Sequence, residues 1–232
     1  MRHEVFTTYT HVWIVVPAYN EGTMIAKVVN EVATMFPNVV VVDDASADNT
    51  SAKAKEAGAK VLRHPFNMGQ GAALQTGIEY ALSRGAEHIV TFDADGQHQI
   101  EDVPQMIQRL KESEADVALG SRFLGDTIDM HSSRRWLLQA ATLFTKFTTG
   151  LELTDCHNGL RVFTAKAAQG LHIRQNRMAH ASEILSRIGR ENWSFIEVPV
   201  TIAYTEYSRE KGQKFSDSFK ILRDLIAARL QL

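Results

Sequence analysis

The run His88-Ile89-Val90-Thr91-Phe92-Asp93-Ala94-Asp95-Gly96-Gln97-His98 carries the clearest chemistry in this chain of 232 residues. An apolar strand leads into two carboxylates one residue apart, then into a glycine and two side chains able to ligate or hydrogen-bond. Alternate residues of an extended chain point the same way, roughly 6.6 Å apart, so Asp93 and Asp95 can converge on one cation at the strand's end. A hard divalent ion takes carboxylate oxygens and keeps positions open for phosphate. Asp-Ala-Asp then reads as a seat for a metal that holds a diphosphate. Taken alone, the same letters also suit a strand followed by an Asp-Gly turn. The rest of the chain decides between the two.

The first half alternates strand and helix. Val12–Val16 is a β-branched run closed by Pro17, and helical spacing follows from Glu21 to Phe36 (Ile25, Val28, Val29, Val32, Met35). Val39–Val42 is a second buried strand ending at Asp43-Asp44. Ser46 and Asp48 are N-cap candidates for a helix that ends near Gly58. Lys60–Leu62 is a short strand, Gly71 to Arg84 an Ala-rich helix, His88–Phe92 and Asp116–Leu119 further strands. Such alternation predicts an α/β fold, a mainly parallel sheet with helices on both faces. Ligands of such sheets bind beyond the carboxyl ends of the strands. Ala18-Tyr19-Asn20-Glu21, Asp43-Asp44 and Asp93-Ala94-Asp95 all follow strands, so they should share one edge and form one site.

Further on the rhythm changes. Ser132 to Thr148 and Ala179 to Arg190 have helical spacing, while Asn158–Phe163 and Phe195–Ile202 read as strands. Tyr204 to Gln213 is polar, aromatic and basic, which suggests a mobile loop. Ser216 to Leu232 closes as an amphipathic helix. No linker marks a boundary, so residues 1–232 read as one domain, with a nucleotide-binding half over about 10–120 and an acceptor half over about 121–232.

Composition narrows the class. With 25 basic and 27 acidic residues the net charge is -2, so no global field draws the chain to nucleic acid. One cysteine, Cys156, rules out an internal disulfide framework and fits a reducing cytoplasm. Met1 to His11 lacks the apolar core of a signal peptide, and no apolar run approaches the ~20 residues needed to cross a bilayer. Gly69-Gln70-Gly71 has Leu74 where a dinucleotide fingerprint needs its third glycine. It reads instead as a helix start that lets its neighbours approach closely.

The ordered set of motifs resembles the inverting family 2 glycosyltransferases of the GT-A fold, and within them the dolichyl- and polyprenyl-phosphate sugar synthases. It runs through Val16-Pro17-Ala18-Tyr19-Asn20-Glu21, Val42-Asp43-Asp44-Ala45-Ser46, Asn67-Met68-Gly69-Gln70-Gly71, Asp93 to His98, Gly120-Ser121-Arg122 and Asp155 to Arg161. It ends with Glu197-Val198-Pro199-Val200 and Arg209-Glu210-Lys211-Gly212-Gln213-Lys214.

The resemblance implies that Pro17, Tyr19 and Glu21, with Val42 and Asp44, hold the base and ribose of a nucleoside diphosphate sugar. It gives Mg2+ or Mn2+ to Asp93, Asp95 and Gln97, with Ala94 alongside the donor. Arg122, Arg209 and Lys214 would face phosphate. Gln213 stands where the family usually has serine, which leaves Lys211 and Lys214 both open for that role. The physical reasons hold beside the likeness: Tyr19 offers a ring for stacking, Asp44 can accept from a base N–H or a ribose hydroxyl, and a guanidinium grips phosphate in a fork.

The expected reaction is metal-dependent transfer of a hexose with inversion. Asp95 and Arg122 act on the leaving diphosphate, and Asp155 is the candidate carboxylate on the acceptor side. A lipid phosphate is already anionic and can attack directly, whereas a glycan hydroxyl must first lose a proton. Arg134 and Arg135, beside Trp136, Leu137, Phe144 and Phe147, suit a polyprenyl phosphate head group at a membrane surface. The expected setting is the cytoplasmic face of the membrane, reached by peripheral contact or through a separate membrane protein. A glycan acceptor, or a non-catalytic binder of nucleotide sugars, is the alternative.

Overall fold

The computed structural model describes residues 9–128, 142, 145–146, 149–176, 179–204 and 207. The expected helix over 216–232 lies outside them, as does the expected helix over 132–148 apart from Thr142, Thr145 and Lys146. Arg134, Arg135, Arg209, Lys211 and Lys214 lie outside them too.

Valine-rich runs form the strands of a seven-stranded sheet: β1 (Val12–Ala18), β2 (Asn38–Asp43), β3 (Lys60–Arg63), β4 (His88–Thr91), β5 (Val117–Ser121), β7 (Arg161–Thr164) and β8 (Phe195–Pro199). The order across the sheet is β3-β2-β1-β4-β7-β5-β8. The pairs β1–β2, β1–β4, β2–β3 and β5–β8 are parallel, and β7 runs antiparallel between β4 and β5. A two-stranded ribbon joins β6 (Thr127–Ile128) to β9 (Ile202–Ala203).

The two faces of the sheet bury two cores. Ile14 and Val16 of β1 face Val28, Val29 and Val32 of α1 (Ile25–Ala33) and Met106 and Leu110 of α4 (Asp102–Glu112). Val15 faces the other core, with Leu74 and Ile78 of α3 (Gln70–Ser83), Ala167 of α5 (Ala165–Gly170), and Ile184 and Ile188 of α6 (His180–Arg190). The remaining helix, α2 (Thr50–Glu56), follows β2. This is the GT-A architecture, α/β with helices on both faces of the sheet. The described residues contain no helix long and apolar enough to cross a membrane.

Two expected strands are shorter than their sequence suggests. The stretch read as beginning at Asn158 pairs only from Arg161, because Asp155 and Asn158 accept backbone N–H bonds two residues ahead, from His157 and Leu160. These side-chain turns compete with the sheet ladder. The Phe195–Ile202 run divides at Pro199: β8 stays in the main sheet and β9 joins the ribbon.

The reversed direction of β7 determines what reaches the carboxyl end of β4. Its first residue, Arg161, pairs with Thr91 there, so the turn 155–160 arrives at the same sheet edge as Asp93 and Asp95.

Candidate active site

A cleft of about 570 Å3 opens at that edge. The loops after β1, β2 and β4, the turn before β7 and the first turn of α6 surround it.

The loops after β1 and β2 are stapled together. Asn20 donates its N–H to Ser46 Oγ and accepts the Ala47 N–H on its side-chain oxygen. Glu21 and Gly22 donate backbone N–H groups to Thr50 Oγ1 and Asp48 Oδ2. Asn20 and Ala45 take left-handed backbone angles, φ 54° and 62°. For alanine that conformation costs roughly 1–2 kcal/mol, and the staples hold it in place. The result presents Pro17, Tyr19 and Glu21 to the cleft, with the Tyr19 ring 46% exposed. Tyr207 donates its hydroxyl to Glu21 Oε2.

Asp44 lines the cleft but is 1% exposed. Its oxygens accept the N–H groups of Met68 and Gly69 and meet His64 Nδ1 at 2.7 Å. Asp44 therefore shapes the 64–69 loop, leaving little lone-pair capacity for a base or ribose. Val42 lies in the core beneath the cleft and is absent from its lining.

Asp93, Ala94, Asp95 and Gln97 all line the cleft, as the sequence predicts. Asp93 accepts from Gln70 Nε2 and meets His98 Nε2, each at 3.1 Å. Burial alone would raise the Asp93 carboxyl, but the bond and charge of His98, with His180 and Arg161, hold it below its ordinary value. Burial and then the charge of Asp93 push Asp95 up. A carboxylate pair that resists double ionisation is what a divalent cation relieves, and hard oxygens suit Mg2+ or Mn2+. Gln97 donates its side-chain amide to Asp95, and its Oε1 is the atom a metal could use.

The described residues contain no cluster of three or more His, Cys, Asp or Glu able to hold a metal. The oxygens of Asp93, Asp95 and Gln97 are of the kind that would suit a hard divalent cation completed by phosphate oxygens and water.

Arg122, His157, Arg161 and His180 bring basic side chains to the same cleft. Arg122 is 7% exposed, bound through Nε to Asp155 at 2.5 Å and through Nη1 to the Tyr204 hydroxyl at 2.8 Å. Burial opposes its charge, but Asp155 and Tyr204 more than restore it. Asp155, expected as an acceptor-side carboxylate, is 3% exposed and absent from the cleft lining. It sits behind Arg122, where it accepts the side-chain and backbone N–H groups of Arg122 and the backbone N–H of His157. Its position suits holding a guanidinium rather than taking a proton from substrate. Burial pushes the Cys156 thiol up, as suits a packing residue.

Arg161, His180 and Gln70 are cleft residues whose place in the site was not foreseen from sequence. Arg161 closes the Asp155–Arg161 motif, but only the antiparallel pairing of β7 shows that it faces Asp93.

A family model described as "Glycosyl transferase family 2" matches residues 13–171. The UDP-N-acetylglucosamine–dolichyl-phosphate N-acetylglucosaminyltransferase of Methanococcus voltae is 32% identical over 241 residues, covering 94% of this chain and 96% of its own. The polyprenol monophosphomannose synthase of Mycolicibacterium smegmatis is 28% identical over 233 residues, covering 94% and 88%. Among solved structures, the Mycobacterium tuberculosis glucosyl-3-phosphoglycerate synthase in complex with Mn2+ and UDP-glucose superposes with a TM-score of 0.73 at 18% identity. The superposition covers 100% of this chain and 82% of that one, and shows a shared fold.

Proposed function

The chain belongs to glycosyl transferase family 2, and from that premise we propose that it moves a hexose from a nucleoside diphosphate sugar to a polyprenyl phosphate, with inversion and with Mg2+ or Mn2+. Pro17, Tyr19 and Glu21 hold the nucleoside; Asp93, Asp95 and Gln97 hold the cation at the diphosphate. The bound cation would supply Lewis-acid stabilisation of charge on the leaving diphosphate. An oxygen of the acceptor phosphate attacks the anomeric carbon from the face opposite the diphosphate. The bond to the diphosphate oxygen breaks, and the electron pair leaves with it.

The observation that carries the acceptor class is the set of side chains that line the cleft. Among the described residues its lining carboxylates are Glu21 and Asp44, on the loops after β1 and β2, and the pair Asp93 and Asp95. The same cleft holds the guanidiniums of Arg122 and Arg161, and the turn 155–160 adds no carboxylate to its lining. Cationic groups suit an acceptor that arrives charged and needs no general base. The named relatives, which act on dolichyl phosphate or make polyprenol monophosphomannose, support the same reading. Such an acceptor is a membrane lipid, so the cleft would meet it at the bilayer surface, by peripheral contact or with a separate membrane protein.

The test is transfer of labelled sugar from UDP-N-acetylglucosamine, UDP-glucose or GDP-mannose to farnesyl phosphate in detergent, with Mg2+ or Mn2+ and with EDTA. Metal-dependent labelling of the lipid is the expected result. Labelling of a glycan hydroxyl with none of the lipid would replace the acceptor class.

A further inference from the structure

Arg161 is an unusual arginine. It is 3% exposed, yet it lines the cleft. Its Nε donates to the Asn158 carbonyl oxygen at 3.2 Å, and its terminal nitrogens have no hydrogen-bond or ion-pair partner among the described residues. Arg122, in the same cleft, is gripped by Asp155 and Tyr204. The nearby carboxylate of Asp93 acts on Arg161 at longer range, and Asp93 already has Gln70 and His98 as partners. A buried guanidinium with its fork unused costs stability in the free protein unless an anion completes it.

A second feature lines the same cleft. Helix α6 begins at His180, and both His180 and Ala181 line the cleft. Its N-cap is Ala179, whose side chain makes no capping bond. The partial positive charge at the start of this 11-residue helix therefore lies at the edge of the cleft. A helix start and an unused buried guanidinium lining one cleft make an anion-binding arrangement. Asp93 and Asp95, with their cation, provide for the donor diphosphate, so this arrangement is available to a second phosphate.

We propose that Arg161 and the first turn of α6 form the subsite that holds the phosphate of the acceptor. This rests on the phosphate-acceptor reading above and names the residues that serve it. The fork of Arg161 would take two phosphate oxygens, leaving the third to attack the anomeric carbon. The same fork would exclude a neutral hydroxyl acceptor, since such a group offers Arg161 no compensating charge.

The experiment measures binding of farnesyl phosphate, and separately of UDP with Mn2+, to wild type, Arg161→Gln and Arg161→Lys in detergent. Melting of the free proteins is recorded alongside. Loss of a charge-assisted bidentate contact predicts farnesyl phosphate binding about 10- to 100-fold weaker in Arg161→Gln. Arg161→Lys, which keeps the charge without the fork, should fall between. Arg161→Lys, which keeps the charge that acts on Asp93, should bind UDP with Mn2+ as wild type does, and Arg161→Gln should lose far less UDP with Mn2+ than farnesyl phosphate, since Arg161 is the smallest of the charges acting on Asp93. Arg161→Gln should melt close to wild type, because the fork it removes has no direct partner among the described residues.

Equal farnesyl phosphate affinity in wild type and both variants would overturn the subsite while leaving the acceptor class standing. So would weakening confined to UDP with Mn2+. If Arg161→Gln does not fold, Arg161→Lys decides between the same outcomes. A wild type that binds no farnesyl phosphate overturns the acceptor reading and the subsite with it.

Discussion

The Tyr207 hydroxyl donates a 2.7 Å hydrogen bond to Glu21 Oε2, joining residues 186 positions apart. Burial and the bond to Glu21 raise the Tyr207 phenol well above its ordinary value, so it stays a donor. The same stretch of chain is fastened at two earlier points: Ala203 donates its N–H to the Gln97 carbonyl, and the Tyr204 hydroxyl accepts from Arg122. Ala203, Tyr204 and Tyr207 thus touch the cation-facing loop, Arg122 and the nucleoside-facing loop in turn.

Tyr207→Phe tests the tie to Glu21. Removing one hydrogen bond to a charged partner should free the Glu21 carboxylate and weaken nucleotide binding by about 5- to 10-fold. Calorimetry with UDP and Mn2+ reads the change directly. Unchanged or tighter binding would mean that the tie to Tyr207 does not orient Glu21 for the nucleoside.

Asp155 offers a sharper contrast, because its two candidate roles fail differently. Asp155→Ala strips a buried guanidinium of its partner, and breaking such a pair costs roughly 3–5 kcal/mol. The urea midpoint should fall steeply together with transfer activity, and Arg122→Met should restore much of the stability when added to it, since the two residues are in contact. A general base would behave otherwise: activity would be lost while the urea midpoint stayed near wild type.

How much of the site is legible in the sequence depends on the range of the interactions. The parallel half is dictated locally, by valine runs that must be buried on both faces and by polar residues at each strand's end. That placed Pro17, Tyr19, Glu21, Asp93, Asp95 and Gln97 on one cleft. The roles of Asp44 and Asp155 were beyond reach, because both depend on partners that only tertiary packing supplies: the N–H groups of Met68 and Gly69 for one, Arg122 for the other. Arg161 was missed for a related reason. A strand's direction is invisible in its own residues, and antiparallel β7 is what turns its first side chain toward the cleft. Helix α4 differs from these: the spacing of Val103, Met106, Ile107 and Leu110 is a local signal that needs no tertiary partner, although the expected elements did not include it.

Two histidines set an acid limit on stability. Burial lowers both below their ordinary value of 6.5: for His157 it outweighs the opposing charge of Asp155, with Arg122 and Arg161 adding to it, and for His88 it is joined by Lys111 against a smaller effect of Glu87. The unfolded chain protonates them near pH 6.5, while the fold keeps them neutral to lower pH. The unfolded state then binds more protons, so stability is full above pH 6.5 and falls as pH drops from there through the folded values. Urea midpoints measured from pH 7.5 downward should decline, and a His88→Gln, His157→Gln double variant should decline less. Parallel slopes for the two proteins would remove these histidines as the cause.

Gly159 permits the closest approach to the proposed cation site. A Cβ added there would lie 2.3 Å from Asp93 Oδ2 and within 3.1 Å of the other two carboxyl heavy atoms. No backbone strain accompanies the change, since Gly159 has no positive φ. Gly159→Ala should therefore act by displacing the Asp93 carboxylate, with the sheet intact. Rigid placement of the groups that meet the leaving diphosphate is worth about 10²–10³ in rate for a single contact, so transfer should fall on that scale. Asp95→Ala should abolish turnover and leave the fold intact. Binding of Mn2+ followed by electron paramagnetic resonance in the presence of UDP gives a readout apart from turnover. Both variants should bind the ion more weakly while melting near wild type. Normal Mn2+ affinity in Asp95→Ala would rule out the carboxylate pair as the cation's seat, whatever happens to the rate.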